Sequence, residues 1–124
     1  MVKFAVSTLS RFIPRHVLQR FSGLVLKIIG GFYLGNKFED PINGITYRKL
    51  LPYGRTKSRV NALAPHSMSL ERHRLLWLYL KDKTNFFEEK HKVLHIAPEI
   101  CFVKKFSKME NLDYITADLN SPWA

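Results

Sequence analysis

The stretch over residues 92–118 constrains the fold most, because two short apolar runs flank a tight turn and one helix-length connection. Val93-Leu94-His95-Ile96-Ala97 begins on a β-branched residue and is stopped by Pro98. Cys101, Phe102, Val103 and Phe106 then recur among lysines at near-helical spacing. Leu112-Asp113-Tyr114-Ile115-Thr116-Ala117 reads as a second strand that ends in Asp118. Two strands joined by a crossover of this length predict one βαβ unit with parallel strands. Ligands of such units bind beyond the carboxyl ends of the strands. Glu99, just past the first strand, and Asp118, at the tip of the second, are the residues placed there. An acid about 20 residues beyond the first turn is positioned to accept hydrogen bonds from both hydroxyls of a ribose.

The 124 residues give room for one modest domain. Three segments are expected within it: a basic amphipathic helical segment over 1–36, a loop and hairpin segment over 37–68, and the βαβ-bearing segment over 69–124. The formal charge of +10 is unevenly spread. Residues 1–60 hold eleven Lys or Arg against two acids, Glu39 and Asp40, whereas 61–124 hold nine against eight. A basic half suits nucleic acid, an anionic membrane surface or a phosphorylated substrate, and equally a surface whose lysines keep the protein in solution. No RNA-binding aromatic signature and no helix-turn-helix is visible, which ranks nucleic acid below the membrane. The single cysteine, Cys101, excludes an internal disulfide framework, and its apolar neighbours predict a buried, inert thiol.

Residues 1–38 contain no acid and carry Lys3, Arg11, Arg15, Arg20, Lys27 and Lys37. Phe12, Val17, Leu18, Phe21, Leu24, Val25 and Ile28 recur at three- and four-residue steps, which predicts an amphipathic helix starting near Pro14. The apolar run over 24–34 is broken by Lys27 and the Gly30-Gly31 pair and is too short to span a bilayer. Three readings stay open. The segment packs on the domain, or it lies on an anionic membrane with Phe21, Leu24 and Ile28 below the lipid heads, or it is an organelle presequence. The expected location is cytoplasmic, with peripheral contact at the inner membrane surface.

The middle segment has the spacing of a zinc ribbon without its cysteines. Asp40 and Asn43 stand where one ligand pair would be, and Ala64 and Ser67 where the other would be; a proline follows the first member of each pair. Four thiolates are needed at such positions and none is present, so no metal is expected. Packing of Tyr47, Leu50, Leu51, Tyr53 and Leu63 is expected to hold the segment instead. Ile45 to Leu50 alternates like a strand. Ser69 reads as the N-cap of a helix whose later part, Leu75-Leu76-Trp77-Leu78-Tyr79-Leu80, is apolar on nearly every face and therefore expected to be buried. Arg72, His73 and Arg74 form either a solvated first turn or an anion site. Phe86 and Phe87 are expected to join the same core, and His95 is expected to be a core histidine.

These strings together, Leu51-Pro52-Tyr53-Gly54-Arg55, Asn61-Ala62-Leu63, the 69–80 helix, Val93 through Glu99 and Asp113 through Pro122, resemble a group of bacterial class I S-adenosylmethionine-dependent methyltransferases, of the type 11-like kind. The resemblance runs from about Gly35 to Ala124. It implies an α/β fold: an incomplete Rossmann-like methyltransferase domain with one βαβ unit, preceded by the N-terminal helix and the hairpin segment. It implies S-adenosylmethionine as cofactor, with Ala97, Pro98 and Glu99 as the cofactor loop and Asp118 as the ribose-binding acid. The implied reaction is attack by an acceptor nucleophile, on a small molecule or a glycan, at the sulfonium methyl; no catalytic residue is assigned. Family members carry cysteine pairs where this chain has Asp40, Asn43, Ala64 and Ser67. A full class I domain also has further strands after the ribose-binding acid, so the chain resembles the N-terminal part of an enzyme, and either a homo-oligomer or the N-terminal helix would cover its sheet edge. The alternative function is a non-catalytic basic module on an anionic membrane surface.

Overall fold

A computed structural model of the chain describes residues 15–119. The fold is mixed α/β, with three helices and three two-stranded sheets among the described residues. Helix α1 spans Arg15–Tyr33 and runs directly into β1 (Leu34–Asp40), which pairs antiparallel with β2 (Ile45–Tyr47). A second hairpin joins β3 (Leu51–Tyr53) to β4 (Arg59–Leu63). Helix α2 (Glu71–Lys83) follows, and then β5 (His91–Ile96), α3 (Ile100–Phe106) and β6 (Leu112–Ala117).

The predicted βαβ unit is present. Strands β5 and β6 are parallel and pair without a slip from His91 opposite Leu112 to Ile96 opposite Ala117. β5 begins two residues earlier than the apolar run indicated, because His91 and Lys92 join the ladder. Alternation sets the two faces of this sheet apart. Val93, His95, Leu112, Tyr114 and Thr116 turn inward, while Leu94, Ile96, Ile115 and Ala117 lie on the exposed face. Helix α3 buries Cys101, Phe102 and Phe106 against the inner face. Phe102 and Phe106 stack with ring centroids 5.3 Å apart, and Trp77, Phe86 and Phe87 close over them as expected. Fully burying a side chain such as Phe102 contributes about 1.5–3 kcal/mol. Ile42, from the turn after β1, belongs to this same core.

Helix α2 departs from expectation. Leu75 is 70% exposed, and Leu76, Leu78 and Tyr79 are also exposed; only His73 is buried, with Trp77 and Leu80 partly so. Apolar composition marked the helix but did not say which faces meet the domain. Ser69 is not its cap either. The N-cap is Leu70, whose N–H donates to Nδ1 of His73 at 3.0 Å, while the Ser69 hydroxyl accepts from Ser67. Arg74 is neither solvated nor an anion site. Its guanidinium donates to the carbonyls of Ser69 and Ala62 and ties α2 to β4. Arg59 and Glu71 add a bidentate pair between the same elements, which holds the Glu71 carboxyl below its usual range.

Helix α1 continues through Gly30-Gly31 without a break. Gly30 is required by packing: a Cβ there would lie 2.6 Å from the His66 ring. The predicted start near Pro14, and Lys3, Arg11 and Phe12, lie outside the described residues. No helix among the described residues is long and apolar enough to cross a membrane.

Candidate functional site

Among the described residues, polar groups gather at two places that are built differently. The first is the pair of turns that occupies the zinc-ribbon positions. After β1, the Gly44 N–H donates to the Asp40 carbonyl at 2.8 Å; after β4, the Met68 N–H donates to the Ala64 carbonyl at 2.9 Å. Each turn closes on a residue with positive φ, +71° at Gly44 and +61° at Met68. Three of the four residues at these positions spend a side-chain oxygen on an amide two residues ahead. Asp40 Oδ1 accepts from Ile42, Asn43 Oδ1 from Ile45, and Ser67 Oγ from Ser69. Below them lie Tyr47, Leu50 and Ala64, all buried. Tyr53, expected in this core, is largely exposed, and β2 stops at Tyr47 instead of continuing to Leu50.

The Tyr47 hydroxyl and Nδ1 of His66 are 2.9 Å apart. Burial raises the Tyr47 pKa, so the phenol keeps its proton within this pair. Asp40 is fully buried with its second oxygen, Oδ2, unpartnered among the described residues. No group of three metal-binding side chains occurs among the described residues.

The second place is the carboxyl end of the parallel pair. The Ala97 N–H donates to the Ala117 carbonyl at 2.9 Å, the last bond of the Ile96–Ala117 pair, so the turn at Ala97 and the residue following β6, Asp118, both lie at the carboxyl end of the ladder. Ala97 has φ +50°, a conformation that favours glycine. The loop therefore makes its sharp turn without a glycine, at a cost of about 1–2 kcal/mol. Pro98 is buried and pins the turn. Asp118 is exposed, and no described residue hydrogen-bonds its carboxylate.

Glu99 is oriented differently from what its position suggested. Its Oε2 lies 2.9 Å from Nε2 of His95, and its Oε1 lies 3.4 Å from Nε2 of His73. Nδ1 of His95 lies 2.7 Å from the Tyr114 hydroxyl. Burial raises the Tyr114 pKa, which keeps this phenol a donor. The Tyr114 O–H then donates to His95 Nδ1, and His95 Nε2–H donates to Glu99. His73 accepts the Leu70 amide on Nδ1, so its neutral form carries the proton on Nε2, facing Glu99. At 3.4 Å that N–H is too loosely placed for a full hydrogen bond and is otherwise unpartnered. Burial lowers the His73 pKa; Glu99 opposes this, and Arg72 and Arg74 reinforce it.

Ala97, Pro98, Glu99 and Asp118 are thus neighbours, but only Asp118 presents a free carboxylate. Glu99 works inward, fastening the turn to α2 and β6. Tyr114 was missed from sequence, and His73 was read as part of a solvated or anion-binding first turn, whereas it is buried beside Glu99. The available signal was a histidine on the inward phase of an alternating strand with an acid four residues on, since an inward imidazole needs polar partners. Cys101 lies buried as expected, and desolvation pushes its thiol pKa up to about 12, so it stays a thiol. No family model, no curated protein and no solved structure matches the chain.

Proposed function

We propose that the chain supplies the cofactor-binding part of a class I S-adenosylmethionine-dependent methyltransferase, with an incomplete Rossmann-like arrangement. The observation that carries this is Asp118: an exposed strand-tip carboxylate with no hydrogen-bond partner among the described residues, beside a positive-φ turn at the carboxyl end of a parallel pair. A ribose diol offers two donors to such a group, and the donor set fits. When bound, S-adenosylmethionine supplies an electrophilic methyl on a sulfonium. The role of this chain is to bind and orient. Asp118 would accept the ribose diol and Ala97 and Pro98 would hold the neighbouring part of the cofactor, while the Tyr114–His95–Glu99 hydrogen bonds fix that turn. Glu99 is assigned here as a positioning residue, because His95 and His73 occupy the surroundings of its two oxygens. The exposed sheet face bearing Leu94, Ile96 and Ile115 also supports the reading, because doubly wound sheets carry helices on both faces and this one is covered on one side among the described residues.

Calorimetric titration of the full chain with S-adenosylmethionine tests the proposal. Binding is expected near 1 mM, about 4 kcal/mol, and Asp118→Asn is expected to weaken it about tenfold or more, the worth of one charge-assisted hydrogen bond. Absence of heat at millimolar ligand, or equal binding by the variant, contradicts it.

A further inference from the structure

Helix α1 is apolar on two separate faces. Leu26, Ile29, Gly30 and Tyr33 turn toward the domain, where Gly30 meets the His66 ring and Tyr33 packs against the Tyr47 core. Phe21, Leu24, Val25, Ile28 and Phe32 are all exposed, Phe32 by 74%. At about 100° per residue these five fall within one stripe roughly 100° wide, centred about 130° from the packed face. A helix that only packed on the domain would place polar residues there.

The setting of this stripe is basic. Beside Leu24 lies a cleft of about 220 Å³ lined by Gly23, Leu24, Lys27, His66, Met68 and Lys104. It joins a lysine of α1 to a lysine of α3, and no acid lines it. Lys27 and Lys104 are both exposed, and the 1–60 half that contains α1 holds eleven basic residues against two acids.

We propose that α1 docks this protein on an anionic lipid bilayer: the Phe21–Phe32 stripe enters the interface, and headgroup phosphates sit in the cleft between Lys27 and Lys104. Charge complementarity selects this occupant. A second copy of the chain would bring the same two lysines toward like charge, whereas an anionic bilayer offers both apolar depth and negative headgroups. The helix lies along the surface, consistent with its length and with Lys27 in its middle. This inference does not depend on the cofactor assignment.

The test is co-sedimentation of the full chain with vesicles of phosphatidylcholine alone and of phosphatidylcholine with about one-third phosphatidylglycerol. Binding is expected to the mixed vesicles and to weaken about tenfold or more between 50 and 500 mM salt, as screening shortens the reach of the lysines. Leu24→Asp with Ile28→Asp is expected to abolish it with the circular dichroism spectrum unchanged, since both positions are exposed. Lys27→Glu with Lys104→Glu is expected to weaken it about tenfold or more, because about 1 kcal/mol accompanies each basic residue near such a surface and the charge is here reversed. Equal binding to neutral vesicles, binding to neither kind, or full binding by the Leu24/Ile28 variant overturns the proposal. So does a concentration-dependent dimer that the same variant dissociates while the parent protein ignores vesicles.

Discussion

The paired turns at 40–44 and 64–68 and the strand tips at 97 and 118 both have a positive-φ turn, a buried proline or its neighbour, and an acid, yet they spend their polar groups in opposite ways. In the paired turns, Asp40, Asn43 and Ser67 all bond backbone amides close by. Of these three side chains, Asp40 keeps one oxygen, the buried Oδ2, without a partner among the described residues. At the strand tips, histidines hold Glu99 and Asp118 is left exposed. The Asp40, Asn43 and Ser67 side chains brace their own turns, while of the two acids at the strand tips Asp118 is the one that no described residue holds. Spare hydrogen-bonding capacity, rather than the number of acids, separates a site from a scaffold.

The strongest challenge to this contrast is at Tyr47, the largest fully buried side chain of the paired-turn region. Tyr47→Ala is expected to cost about 3–5 kcal/mol in chemical denaturation, whereas Tyr47→Phe, which keeps the ring and loses the bond to His66, costs about 1 kcal/mol. If both variants cost little, packing does not brace the turns. Next in size is Asp40→Ala, expected to cost about 1–3 kcal/mol because the buried Ile42 amide loses its acceptor. No loss of stability would mean that Asp40 is not structural and that its free oxygen has another use.

The relay side is probed by pH. The folded-state pKa of His73 is lowered, chiefly by burial, whereas an unfolded histidine titrates near about 6.5. The unfolded chain therefore binds the proton more readily. His73 costs nothing above about pH 6.5, and stability drains as pH falls below it through the folded value. Denaturation midpoints from pH 7.5 to 5 are expected to decline, and His73→Gln is expected to flatten the decline; an unchanged slope in the variant assigns it to other groups. The smallest effect is at the turn itself. Ala97→Gly relieves the φ of +50° and is expected to stabilise by about 0.5–1 kcal/mol, with cofactor binding retained. Destabilisation would mean that the alanine methyl packs usefully despite the strain.

How much of this could be read in advance varies by region. The parallel pair and its helix were legible, since Val93–Ala97 and Leu112–Ala117 are apolar runs bounded by a proline and an acid. The neighbourhood of Ala97 and Asp118 followed from topology. The direction of Glu99 did not, because sequence spacing says that an acid is near a strand end but not that His95 and His73 compete for it. Leu75, Leu78 and Tyr79 misled for a related reason: apolar residues state a preference for burial, and only tertiary contacts say whether a surface is there to meet it. The two faces of α1 were legible as one periodicity, and the structure separates Leu26 and Ile29, which pack, from Leu24 and Ile28, which do not.

The central claim is most directly tested by amide NMR spectra of the uniformly ¹⁵N-labelled full chain during titration with S-adenosylmethionine. The account predicts shifts concentrated at Ala97, Glu99, Asp118 and Leu119, with the Asn43 and Ser67 amides unmoved, and predicts that Asp118→Asn removes the shifts while leaving the rest of the spectrum intact. Shifts centred on the paired turns, or the same strand-tip shifts in Asp118→Asn, would contradict it.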